Sequence, residues 1–221
     1  MHNTVDRLNL VKDKVNEIVL KKQLNTKPQI IIVTKTFNAK VIMPLIEYGH
    51  IHFGENKIQE TENKWPNIKK KYENLKLHML GKVQSNKAKK AVQLFDYIHS
   101  LDNEKLANKL SQYEKELNKK TKIFIQVNIS LEKQKSGIAL KDLNSFYKYC
   151  KNSLSLNIIG LMCLPPLNSD SNAFFDILKK NAKELKLREL SMGMSADYEK
   201  AISNESTYLR LGTAILGKRI N

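Results

Sequence analysis

Two hydrophobic spacings alternate along the chain. Residues 4–24 place Val5, Leu8, Val11, Val15, Ile18 and Val19 at intervals of mostly three or four, the stripe of an amphipathic helix. Asn25-Thr26-Lys27-Pro28 breaks it. A continuous run follows over 30–35, Ile-Ile-Ile-Val-Thr-Lys, which reads as a strand buried on both faces, as in parallel sheets. A helix over 39–48 ends at Gly49, a residue suited to a C-terminal cap. The pattern then repeats as strand 50–56, helix 57–64 stopped by Trp65-Pro66, strand 75–80, helix 85–95, strand 97–101 and helix 103–117. Strand 122–128 leads through a loop over 129–138 to a helix over 140–151, and strand 156–164 stops at Pro165-Pro166. Helix 171–185, strand 189–194, helix 197–203 and strand 207–216 complete the series.

Strands separated by helix-length segments imply right-handed crossovers and a parallel sheet. Eight such strands in 221 residues predict one α/β domain over 1–221, a (β/α)8 TIM barrel. The alternative is an open doubly wound sheet, whose usual nucleotide-binding signals, GxGxxG and the P-loop, do not occur here.

Composition adds limits. With 41% hydrophobic residues the chain can bury a substantial core. Cys150 and Cys163 lack CxxC spacing, which predicts a reduced, cytoplasmic setting without structural zinc. No apolar run approaches the roughly 20 residues of a membrane helix, and the N-terminus lacks the parts of a signal peptide. A net charge of +16 raises the question of nucleic acid. The lysines are spread over nearly every helix beside many asparagines, so nucleic acid is not the expected partner. His50 and His52 share one face of a strand, but no carboxylate or cysteine at useful spacing completes a metal site.

In a barrel of this type, chemistry collects at the C-terminal ends of the strands. Lys35 ends the first strand, where partial desolvation of its ammonium is expected to lower its pKa and free the amine as a nucleophile. Asn56 ends the second. Ser195 follows the seventh, and Arg210-Leu211-Gly212-Thr213 lies in the eighth. The loops after strands seven and eight form the usual phosphate cup of the fold, with glycine admitting backbone N–H groups and Ser and Thr adding hydroxyls. A nucleophilic lysine facing a phosphate cup fits pyridoxal 5′-phosphate (PLP), whose aldehyde condenses with an amine.

Seven blocks carry a resemblance: Val-Thr-Lys-Thr (33–36), His-Phe-Gly-Glu-Asn (52–56) with Gln59-Glu60, Leu-Gly-x-x-Gln-Ser-Asn-Lys (80–87), Val-Asn (127–128), Gly-Leu-Met (160–162), Ser-Met-Gly-Met-Ser (191–195) and Arg-x-Gly-Thr-Ala-Ile-x-Gly (210–217). In this order and spacing, from about Ile30 to Arg219, the chain resembles the pyridoxal phosphate homeostasis proteins of the YggS-like or PROSC-like type. The resemblance implies a barrel like the N-terminal domain of alanine racemase, with Lys35 holding PLP as an internal aldimine. It also implies Ser195, Gly212 and Thr213 on the phosphate, Arg210 on the pyridine nitrogen and Asn56 near the ring. Lys82, Lys57 and Leu216 depart from the family pattern at the rim of the pocket.

Arginine at the pyridine nitrogen disfavours its protonation and makes the ring a poorer electron sink. Racemases answer with a second base from another domain, and the chain ends five residues after Leu216. Tyr198 and Tyr208 lie near the phosphate loops in sequence and read as packing residues. The expectation is a monomeric cytoplasmic carrier that stores, shields or delivers PLP to apo PLP-dependent enzymes without efficient turnover. The competing classes are a small racemase-like enzyme and a basic adaptor. Arg210 is expected to point at ligand and not into packed core.

Overall fold

The computed structural model describes residues 3–130, 136–166 and 169–217. Residues 131–135 of the expected 129–138 loop, and Arg219 at the end of the resemblance, lie outside the described residues. Helix α1 (Thr4–Lys21) begins at Asn3, whose side chain accepts the Asp6 N–H in a reciprocal capping box. It buries Leu8, Val11, Val15 and Ile18. The chain then runs β1 (Gln29–Val33), α2 (Ala39–Glu47), β2 (His52–Glu55), α3 (Ile58–Lys64), α4 (Pro66–Lys71), β3 (Lys76–Met79), α5 (Ala88–Leu94), β4 (Tyr97–Leu101) and α6 (Glu104–Glu116). After these come β5 (Lys122–Asn128), β6 (Ile138–Ala139), α7 (Leu143–Lys148), β7 (Ile158–Cys163), α8 (Ser171–Glu184), β8 (Glu189–Met194), α9 (Tyr198–Ser203), β9 (Tyr208–Leu211) and α10 (Thr213–Leu216).

Every strand pairing is parallel, in the order β4-β3-β2-β1-β9-β8-β7-β5. A β4–β5 pairing closes the ring, so eight strands form the expected barrel. The two-residue β6 adds to the tip of β5, at Val127 and Asn128. Alternation of side chains along the strands divides the core into two layers. Ile30, Ile32, Phe53, Leu77, Ile98, Leu209 and Leu211 face outward into the layer shared with the helices. Ile31, Tyr97, Phe124, Met162 and Tyr208 face inward and fill the bore.

Three elements differ from the sequence expectation. The run expected as strand 207–216 pairs only over Tyr208–Leu211, and Gly212 then turns it into α10, whose Ile215 and Leu216 pack inside. A short apolar run does not by itself separate strand from buried helix. Trp65-Pro66 ends α3 as expected, but Pro66 also opens α4 at the first helical position, where its missing N–H costs nothing. The expected helix over 140–151 forms as a 3₁₀ turn, then α7, then a π turn over Tyr149–Ser153. No helix among the described residues is long and apolar enough to cross a membrane.

Candidate functional site

The strand order β2-β1-β9-β8 makes four C-terminal tips into neighbours. Register fixes their heights: Val33 lies opposite Gly54, Ile32 opposite Leu211, and Met194 opposite Arg210. Lys35 follows β1 by two residues, Asn56 follows β2, Ser195 follows β8, and Gly212-Thr213 follows Arg210 and Leu211 of β9. All six residues singled out in the sequence therefore gather at one end of the barrel, on adjacent strands. Gly81, after β3, passes so close to Asn56 that a Cβ there would lie 2.1 Å from the Asn56 carbonyl oxygen. Asn56 lines two cavities on this face. One of about 500 Å³ reaches Gly81, Gln126 and Met194, and one of about 360 Å³ reaches Lys57, Lys82 and Lys87.

The turn carrying Lys35 is tied down from beneath by a buried ion cluster. Lys64 Nζ on α3 donates to the carbonyls of Thr34 (2.8 Å) and Phe37 (2.9 Å). It also lies 2.8 Å from Glu55 Oε1 and 3.1 Å from Glu60 Oε1. Glu60 Oε1 accepts the Thr36 N–H at 2.5 Å, and Glu55 Oε1 accepts the Thr34 hydroxyl at 2.6 Å and the Trp65 indole N–H at 2.9 Å. Both flanks of Lys35 are thereby fixed, including Thr36, which holds a left-handed φ of 69°. Such conformations persist in a non-glycine residue where surrounding contacts over-determine them. Lys35 itself is half-buried and its amine has no hydrogen-bond or ion-pair partner among the described residues.

Beside β1, the loops after β8 and β9 lock together. Ser195 Oγ accepts the Ala214 N–H at 3.3 Å, joining the loop after β8 to that after β9. The first loop is set by Asp197, whose Oδ1 accepts the Met194 N–H at 2.7 Å, and by Gly193 at φ 92°. A Cβ added to Gly212 would lie 3.5 Å from the Val33 carbonyl oxygen, and the Thr213 side chain is exposed at the rim.

Arg210 differs from expectation. Its side chain turns into the bore and is 5% exposed, with one guanidinium nitrogen donating to Ser191 Oγ (2.7 Å) and another to the Cys163 carbonyl (2.9 Å). Its Nε–H has no partner among the described residues. Burial lowers the Arg210 pKa from its ordinary value, but a guanidinium stays charged in a protein. His99 and His78 behind it were not singled out in the sequence, and Ser191 entered only as part of the 191–195 block, because isolated polar residues in short strands resemble edge positions. A period-two reading of Tyr97 and His99 in β4 is the signal that would have found them. His50 and His52 do not act as a pair of ligands: His50 Nε2 bonds the His52 carbonyl (3.0 Å), and His52 faces His78. Among the described residues no cluster of three potential metal ligands occurs. Tyr208 enters the bore at the N-terminal end of β9, level with Gln29, and Tyr198 lies on α9 near Lys14 of α1.

The match of the chain to the alanine racemase N-terminal domain covers residues 12–219. An alanine racemase from Corynebacterium glutamicum has the same fold, with a TM-score of 0.67 over 94% of this chain and 61% of its own at 13% identity. The class is thus a barrel of the alanine racemase N-terminal type. A pyridoxal phosphate homeostasis protein of Haemophilus influenzae is 32% identical over 98% of this chain and 96% of its own length. PipY of Synechococcus elongatus, solved with PLP bound, is 34% identical, with a TM-score of 0.84 over 97% of this chain and all of its own. The chain belongs to the family of pyridoxal phosphate homeostasis proteins.

Proposed function

We propose that the strand-end face binds PLP for intracellular PLP homeostasis, with the Lys35 amine holding the cofactor's aldehyde covalently. The observation that carries this reading is an unpartnered, half-buried lysine on a braced turn after β1, on the same barrel end as the two interlocked hydroxyl- and glycine-bearing loops after β8 and β9. The donor set fits the group: Ser195, Thr213 and the Gly212 backbone for the phosphate, the free Nε–H of Arg210 for the ring nitrogen, and Asn56 beside the ring. The cofactor supplies a reactive aldehyde and an electron-withdrawing ring. The protein's part is to hold the phosphate, keep a cation at the ring nitrogen and present one amine. The whole chain acts as one cofactor-binding unit, a cytoplasmic monomer that stores, shields or passes PLP to apo-enzymes. Borohydride reduction of the PLP-loaded protein is expected to leave a pyridoxyl group on Lys35, and a label mapped mainly to Lys82 or Lys87 defeats the assignment.

The same geometry argues against efficient turnover. Arginine at the ring nitrogen weakens carbanion stabilisation. Incubation with L- and D-amino acids should give, at most, slow α-proton exchange, far below the roughly 1–10³ s⁻¹ of ordinary enzymes. Racemisation, decarboxylation or transamination in that range, lost in Lys35→Ala, would replace the carrier reading with a racemase-like enzyme.

A further inference from the structure

We propose that Ser191 and His99 are positioning residues for Arg210, and that His78 and His52 complete a one-directional hydrogen-bonded chain holding them in place. This inference rests on the assignment of Arg210 to the cofactor ring. The chain crosses the bore. Arg210 lies 2.7 Å from Ser191 Oγ, which lies 2.8 Å from His99 Nδ1. His99 Nε2 is 2.9 Å from His78 Nδ1, and His78 Nε2 is 2.9 Å from His52 Nδ1. His52 ends at a separate cavity of about 330 Å³ on the opposite, N-terminal mouth, lined by Lys12, Lys27 and His50.

Proton counting fixes the direction. Arg210 can only donate, so Ser191 Oγ accepts from it. The one hydrogen of Ser191 then goes to His99 Nδ1, the remaining neighbour that can accept. His99 must carry its own hydrogen on Nε2 and donate to His78, and His78 must do the same towards His52. In the reverse direction the Ser191 hydrogen would be buried with no acceptor, a cost the forward chain avoids. Ser191, His99 and His78 are all fully buried. Burial, with the Arg210 charge beside it, keeps His99 well below the usual histidine range. Burial, followed by the neighbouring histidines, does the same for His78. The neutral form that the chain requires is therefore the stable one.

The rings cannot easily turn to break the chain. His99 stacks on Phe124 with centroids 4.2 Å apart and planes 19° apart, and His78 stacks on Tyr97 at 4.2 Å and 16°. Together with the Cys163 carbonyl, Ser191 fixes the guanidinium plane. Three of the five guanidinium hydrogens, the Nε–H and one on each terminal nitrogen, keep no partner among the described residues.

The test uses ¹⁵N NMR of the full chain without cofactor, followed by PLP titration. Wild-type protein is expected to show neutral His99 and His78 with hydrogen on Nε2, and distinct Arg210 Nη signals from restricted rotation. His99→Phe keeps the stack on Phe124 but removes the acceptor; the Arg210 signals should merge. Apparent PLP affinity should fall at least about fivefold, and the absorbance of bound cofactor should shift. His99→Asn returns an acceptor near Nδ1 and should restore distinct Arg210 signals. Hydrogen on Nδ1 in the wild type, unchanged Arg210 signals in His99→Phe, or identical behaviour of the Phe and Asn variants would overturn the proposal. If His99→Phe does not fold, Ser191→Ala read by the same Arg210 signals decides it. If wild-type protein takes up no PLP, the cofactor reading fails while the Arg210 signals still judge the positioning role.

Discussion

The turn that presents Lys35 is anchored by another lysine, and the two play opposite parts. Lys64, 8% exposed, is surrounded by two carboxylates and two carbonyls, while the Lys35 amine is left without a partner. Burying charges costs desolvation, and such a cluster is retained more for geometry than for net stability. Removing one member is a different matter. Lys64→Met would leave Glu55, already with Oε2 buried and unpaired, without its counter-charge. The expected loss is about 3–5 kcal/mol in urea unfolding, with faster hydrogen exchange at the Thr36 amide. A variant with wild-type stability and exchange would show that the cluster does not brace the turn. Lys35 was legible in the sequence because a lysine closing an Ile-rich run is conspicuous. The cluster was not: Glu60 and Lys64 look like an ordinary i,i+4 surface pair, and nothing local shows that Glu55 points under α3.

At the scale of elements, β8 and β9 illustrate what periodicity can and cannot resolve. Both strands were legible as apolar runs, yet the end of β9 was not, because Ala214, Ile215 and Leu216 are apolar in a strand or in a buried helix turn. Gly212 decides the matter by ending the ladder, so the run packs as α10 against α1. The loop after β8 depends on Gly193 in a stricter way. Its φ of 92° is one that side-chain-bearing residues rarely adopt, and an added Cβ would lie 2.5 Å from the Cβ of Ala201. Gly193→Ala should therefore destabilise the protein by about 1–3 kcal/mol. It should also displace Ser195 from Ala214, so PLP affinity falls further than stability alone explains. Equal affinity in a folded Gly193→Ala protein would separate the loop from the site.

On the whole molecule the most telling property is the polar lining of the bore, which the sequence pattern hid. Strand runs reveal the barrel, since each is apolar on its outward face. The inward face is shared among distant strands, and its chemistry emerges only when β2, β3, β4 and β8 close on one another. Burial holds His50 and His52 at about 4, and keeps His78 and His99 well below the usual histidine range. In the unfolded chain each would titrate near 6.5. All four shifts are downward, so their stabilisation is fully present above about pH 6.5 and is lost as pH falls towards 4. Between those limits the unfolded state binds up to four more protons than the native state. Each proton makes stability fall by about 1.4 kcal/mol per pH unit, with His52, nearest solvent, contributing least. Urea unfolding between pH 7.5 and 4.5 should therefore show a flat region followed by a steep decline beginning near pH 6.5. His99→Asn should make that decline shallower by about one proton. An unchanged stability between pH 6.5 and 5 would mean that the bore admits water and charge, which would also dissolve the ordered histidine chain.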